Sequence, residues 1–286
     1  MGKLINRLQV HISRVNRSLF REWCLSVIKL CAFPGIAALI WSCSPEPVNQ
    51  PDNGARLIIE FVHLVDGSPV MFDTLIYTNA AGNPYLINEI QYFVSDFVLW
   101  YGPDSLRLDR WDPIHYVDTD LPYTFTWEVP DKLIPGNVDS ISFVFGLTPE
   151  RNISFMFVNP PERDMFWPEY LGGGYHYMKL NGKWLPDTAQ YTTIPFDFHL
   201  GRGQIYQGDS IVGFTDNQFT VTLPVENLLL PEGETRSIRL VMNIENWFQD
   251  PYIYDHNVYG GYIMQNQEAM EKIKENGYNV FSLQQN

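Results

Sequence analysis

Cysteine is nearly missing from this chain. Three occur among 286 residues, at positions 24, 31 and 43, so the 243 residues that follow hold none. That excludes a disulfide framework, a zinc–thiolate site and a cysteine nucleophile in the main body. Basic residues are scarce too. Six Lys and Arg against one acid fill residues 1–42, leaving thirteen basic and thirty-two acidic residues beyond them, a net charge of −19. Phosphate backbones are bound by Lys and Arg with release of counterions, so nucleic acid is excluded as a partner. The chain has no Gly-x-Ser-x-Gly, no His-Glu-x-x-His, no phosphate loop and no dinucleotide fingerprint. Gly172-Gly173-Gly174 does not stand between a strand and a helix, so it is not a phosphate cradle. Long apolar runs are lacking as well. The longest, Leu30 to Trp41, has about a dozen residues, which is too short to span a bilayer.

That short run is what a signal-peptide core needs. It follows Lys3, Arg7, Arg14, Arg17, Arg21 and Lys29, and it ends Ile40-Trp41-Ser42-Cys43. A branched aliphatic residue at −3 and a small residue at −1 before Cys resemble a bacterial lipobox. The sequence therefore predicts a lipoprotein signal peptide over 1–42, lipidation of Cys43, a Pro-rich tether over 43–53, and one domain over 54–286. Acyl chains on Cys43 would hold the protein on a membrane at the bacterial cell envelope, periplasmic or at the outer-membrane surface. A plain N-terminal anchor or an ordinary secretion signal is the alternative.

In the body, Tyr, Phe, Ile, Val and Thr outweigh the helix formers. Phe219 to Leu223 alternates apolar residues with threonines, and Ile238, Leu240, Met242 and Ile244 share one face. Arg56–Leu64, Tyr85–Tyr101, Tyr123–Val129, Val138–Leu147 and Ile194–Gly201 also read as strands. Turn signals separate them at Asp66-Gly67, Gly82-Asn83-Pro84, Gly102-Pro103, Pro135-Gly136, Asn181-Gly182 and Pro231-Glu232-Gly233. This predicts an all-β fold, an antiparallel β-sandwich with a short C-terminal helix. Asn266 caps that helix, Ala269, Met270 and Ile273 form its apolar stripe, and Gly277 stops it.

With Cys absent, His and Met are the soft or borderline metal ligands on offer, a set that suits copper better than calcium or magnesium. His63 shares a strand face with Leu57, Ile59 and Phe61 and points inward. His176 shares one with Met178 and Leu180, again inward. His199 falls with Asp197 on the face opposite Phe196, Phe198 and Leu200, so the strand must twist or end near any site it joins. Met165 and Trp167 lie in an aromatic segment, Met165 to Met178, that either covers a metal or plugs one end of the sandwich. His115 and His256 read as loop or strand-edge residues. Asp118-Thr119-Asp120 reads as a solvated acidic turn rather than a calcium loop.

Several stretches occur in a recognisable order. They are Phe61-Val62-His63 with Asp66-Gly67-Ser68-Pro69, Tyr92-Phe93-Val94-Ser95-Asp96-Phe97, Ile141-Ser142-Phe143 to Gly146 with Asn152, and Met165-Phe166-Trp167. Gly174-Tyr175 and Phe196-Asp197-Phe198-His199-Leu200-Gly201 follow. In this order the chain resembles the MbnP-like copper-binding domain family, and its tail from Trp247 to Phe281 resembles the lipoprotein branch. The resemblance implies a β protein of the cell envelope that binds copper. It implies Cu(I) held by two histidines and a tryptophan that is oxidised to kynurenine, with a MauG-like diheme peroxidase as partner. Met165, Trp167 and His199 occupy family motif positions, and His63 matches a frequent first-strand histidine. The relatives pair the tryptophan with a His two residues away, which this chain lacks; the strand faces offer His176 and Met178 instead.

Three functions compete. The first is a non-enzymatic lipoprotein that holds or delivers copper through His63, His176, His199, Met165, Met178 and Trp167. The second is a surface glycan-binding or adhesion module whose exposed Trp and Tyr stack on sugars. The third, an enzyme, lacks a signature.

Overall fold

The computed structural model describes residues 53–189 and 191–285. The signal peptide, Cys43 and all but the last residue of the tether lie outside the described residues. Fifteen strands follow in order. They are β1 (Arg56–Val65), β2 (Ser68–Pro69), β3 (Tyr77–Thr78), β4 (Pro84–Tyr101), β5 (Asp104–Arg107), β6 (Ile114–Asp118), β7 (Thr126–Glu128) and β8 (Gly136–Phe145). Then come β9 (Met178–Trp184), β10 (Ile194–Leu200), β11 (Gly203–Gln207), β12 (Ser210–Thr215), β13 (Phe219–Leu230), β14 (Thr235–Asn243) and β15 (Phe281–Gln285). Helices α1 (His256–Tyr259) and α2 (Gln267–Gly277) precede the last strand.

One sheet orders β15-β14-β1-β2, with β7 also on β1; a second orders β10-β9-β4-β8-β13, with β3, β5 and β6 on β4; β11 and β12 pair with each other. The apolar faces of the first two sheets form one core. Phe61 of the first sheet meets Tyr92 of the second edge-on, and Phe143 and Phe145 pack against Phe281. The expected sandwich is present. One departure is that β1 and β14 run parallel, Arg56 opposite Thr235 through Leu64 opposite Asn243. Parallel neighbours need a long crossover, and here nearly the whole domain supplies it.

Strand β4 is the axis of the larger sheet and is bent twice by register breaks. One break lies between Ser95 and Val98. There Asp96 takes φ 52°, which a short polar side chain tolerates, and its carboxylate receives Arg107 at 2.8 Å and Arg151 at 2.9 Å. The other lies between Ile87 and Glu89. An extra residue in one strand turns the next side chain to the other face. Asn88 and Glu89 therefore both face away from the core that takes Ile87 and Ile90.

One local expectation is corrected. Asn181-Gly182 is not a turn but the middle of β9, paired on both sides. Gly182 is needed there because a Cβ would run into the Leu86 carbonyl and the Phe196 ring. Gly277 ends its helix as expected, though by packing. It is the last helical residue, and a Cβ there would strike Phe219 and Trp247. The start of α2 is as expected, the Asn266 side chain accepting from the Ala269 amide at 3.1 Å.

Candidate metal centre

Alternation in β10 places Phe196, Phe198 and Leu200 in the core and leaves Asp197 and His199 on the other face. His199 stands opposite Lys179, and Lys179 opposite Gln91, so these three share that outer face. His176 joins them. The chain bends at Tyr177 just before β9 begins, and the bend breaks the alternation that would have put His176 beside Met178. Its ring meets His199 edge to face, centroids 5.0 Å apart. The inward face expected for His176 is thus corrected. It is buried, but against His199 rather than in the sandwich core.

Trp167 completes the group. Its ring centroid lies 4.7 Å from that of His176 at 72°, and the side chain is fully buried. Three features hold it. The indole N–H donates to the Leu171 carbonyl at 3.1 Å, and the Trp167 amide donates to the Gly174 carbonyl at 2.8 Å. Gly201 leaves room for the ring: a Cβ there would sit 2.6 Å from Cε3. Gly172, Gly173 and Gly174 all take positive φ, which glycine adopts without steric cost. The triple glycine therefore folds the loop that cradles Trp167. Gln204 adds a second donor to the Leu171 carbonyl at 2.8 Å.

Both histidines are held in one tautomer. His176 Nδ1 lies 2.8 Å from the Met165 carbonyl oxygen. A carbonyl only accepts, so Nδ1 carries the proton and Nε2 keeps its lone pair. His199 Nε2 lies 2.8 Å from Asn181 Oδ1. The Asn181 amide nitrogen donates to Glu89 at 3.2 Å, which orients the oxygen toward His199. Nε2–H therefore donates, and Nδ1 of His199 keeps its lone pair. Burial pushes the His176 pKa down to about 3, with His199 and Lys179 adding to the shift, and that of His199 down to about 4. Each ring is a neutral nitrogen donor at neutral pH.

Two of the other expected ligands, His63 and Met178, lie elsewhere. His63 points inward from β1 as expected, and its Nε2 is 3.1 Å from the Tyr92 hydroxyl. Tyr92, Met178 and Leu200 are in register across three strands and share the core face. His63 and Met178 are thus on the side of the larger sheet opposite His199, and the sheet separates them from it. Met165 is buried, and its carbonyl receives both the His176 amide and Nδ1. His115 is in β6, stacked on Phe61 at 4.8 Å. His256 is not a loop or edge residue but is buried against Trp184, Phe196, Phe198, Phe248 and Tyr254. Asp118 and Asp120 form with Glu89 the one trio of His, Cys, Asp or Glu ligand atoms clustered closely enough to hold an ion among the described residues. Asp118 is already engaged by Gln91 and Tyr116.

Sequence reasoning missed Asn181, Glu89 and Gly201. Asn181 was masked by its Asn-Gly turn signature, and Glu89 by the bulge that turns it outward. Gly201 was visible only as a strand end.

A comparison with curated proteins gives no match. Among solved structures, MbnP from Methylosinus trichosporium is similar, with 15% identity and a TM-score of 0.48 over 70% of this chain and 79% of its own. The MbnP family model matches residues 54–266. That match takes in most of the chain, and the chain belongs to the MbnP family.

Proposed function

We propose that this protein binds one copper ion between His176 and His199, beside Trp167, and holds or delivers it without catalysing turnover. The observation that carries the reading is the adjacent pair of neutral, tautomer-fixed imidazoles, ring centroids 5.0 Å apart. Each keeps one lone pair, and imidazole nitrogen is a good copper donor. The residues fit the reduced ion in particular. Cu(I) accepts two nitrogen donors in a low-coordinate site, and among the described residues no third His, Cys, Asp or Glu joins this pair in a ligand cluster. Membership of the MbnP family supports copper as the metal. The glycan reading would rest on exposed aromatics such as Trp111 and Tyr191, whereas the tryptophan at this site, Trp167, is buried.

Anaerobic titration of the folded protein with Cu(I) should show one tight equivalent. His176→Ala and His199→Ala should each lose it, while His63→Ala, altered across the sheet, should keep it. Folded wild-type protein that takes up no copper, or a His176/His199 double variant that still binds it tightly, would sink the assignment.

The same proposal places the protein on a membrane through lipid on Cys43. Expressed from the full chain in a bacterium, the wild type should sediment with membranes and Cys43→Ala should appear in the soluble fraction. Unchanged sedimentation of the variant would refute lipidation as the anchor.

A further inference from the structure

The copper reading leaves a row of polar side chains on the outer face unexplained. Glu89, Asn181 and Asp197 stand opposite one another across β4, β9 and β10. A sheet surface that only needed solvation would not require these to be linked in order. Two of them are linked, and onward to the site: Glu89 accepts from Asn181, and Asn181 accepts from His199. Glu89 reaches this face because of the bulge in β4, and its carboxylate accepts from Asn181 at 3.2 Å.

Resting on the copper reading, we propose that Asn181, oriented by Glu89, is a positioning residue that fixes the tautomer of His199 and so presents Nδ1 to the ion. The chemistry follows from what each atom can do. A carboxylate only accepts, so the Asn181 NH2 is drawn to Glu89 and cannot turn to His199. The Asn181 oxygen then faces His199 and accepts only from a protonated Nε2. The lone pair is left on Nδ1, on the other side of the ring. Without Glu89 the amide is free to flip and present NH2, which would favour the opposite tautomer. Groups that orient a metal-binding imidazole through its second nitrogen commonly alter metal affinity by roughly 10–100-fold. Lys179, the neighbour of His199 on this face, is tied to the Asp164 carbonyl at 2.7 Å and so does not compete for Asn181.

The test separates the relay from the copper reading. Long-range proton–nitrogen correlation spectra of the copper-free, nitrogen-labelled protein report the His199 tautomer directly. The wild type should show protonated Nε2. Asn181→Leu should show a mixture, and its Cu(I) affinity should fall about 10–100-fold. The double variant E89Q/N181D moves the amide to position 89 and keeps the acceptor at 181, so it should restore both tautomer and affinity. That rescue guards against a trivial folding defect in Asn181→Leu. His199 signals unchanged in Asn181→Leu, or affinity unchanged while the tautomer shifts, overturn the relay alone. Wild-type protein that takes up no copper overturns the copper reading, and the relay's purpose with it.

Discussion

The copper-free protein should lose most of its stability between pH 6.5 and pH 4. Burial lowers the pKa of His63, His199 and His256 from 6.5 to about 4, and that of His176 to about 3. In the unfolded chain these rings take protons as the pH falls through 6.5, while in the fold they stay neutral until about 4. Over that interval the unfolded state binds more protons, so stability falls with pH by about 1.4 kcal/mol per unit per histidine. Each ring forfeits roughly 3 kcal/mol by pH 4, and together they approach the roughly 5–15 kcal/mol that holds a typical domain. Glu89 and Glu245, whose burial raises their pKa values, work in the opposite sense but from the carboxylate range upward. Thermal unfolding at half-unit steps should therefore show the melting temperature dropping through this window. His256→Gln should reduce the slope by one histidine's share. A melting temperature flat from pH 6.5 to 4.5 would contradict the burial of these rings.

Trp167→Ala should be the most damaging single substitution at the site. The side chain is fully buried, and removing a buried tryptophan typically costs about 3–5 kcal/mol through lost burial and the cavity left behind. The cavity would open beside His176, whose ring the indole backs at 4.7 Å. Copper affinity should fall with stability. Trp167→Phe keeps part of the packing and loses the bond to the Leu171 carbonyl, so its loss should be smaller. Gly201→Ala probes the same contact from the other side. A methyl group 2.6 Å from the indole forces the ring to move, at a cost of about 1–3 kcal/mol. Chemical denaturation together with copper titration of the three variants checks this ordering. Trp167→Ala with wild-type stability would mean that the indole does not hold this corner of the fold.

The sandwich was legible because one face of each long strand is apolar. Period-two alternation placed β1, β4, β8, β10 and β14 within a few residues of where they lie, and found the start of β13 but not its continuation to Leu230. Tyr123 to Val129 was harder: Pro122 starts a short 3-10 turn, and only Thr126–Glu128 extends. His199 was correctly set on the outer face by the same alternation. His176 was not, because alternation holds only while the strand continues, and the bend at Tyr177 ends it one residue too soon. His63 and Met178 looked equally suitable as ligands because residue type and face cannot tell which side of a sheet another strand's side chains occupy. Asn181-Gly182 carried a turn signature for a different physical reason: its glycine serves close packing against Phe196, not chain reversal.

The parallel pairing of β1 with β14 has a consequence for how the molecule is made. Its two partners are separated by about 180 residues, so the smaller sheet has no central pair until nearly the entire polypeptide has emerged. Contacts of such span are slow to form. A nascent chain would leave one edge of β1 unpaired for most of its synthesis, and an unpaired strand edge invites aggregation.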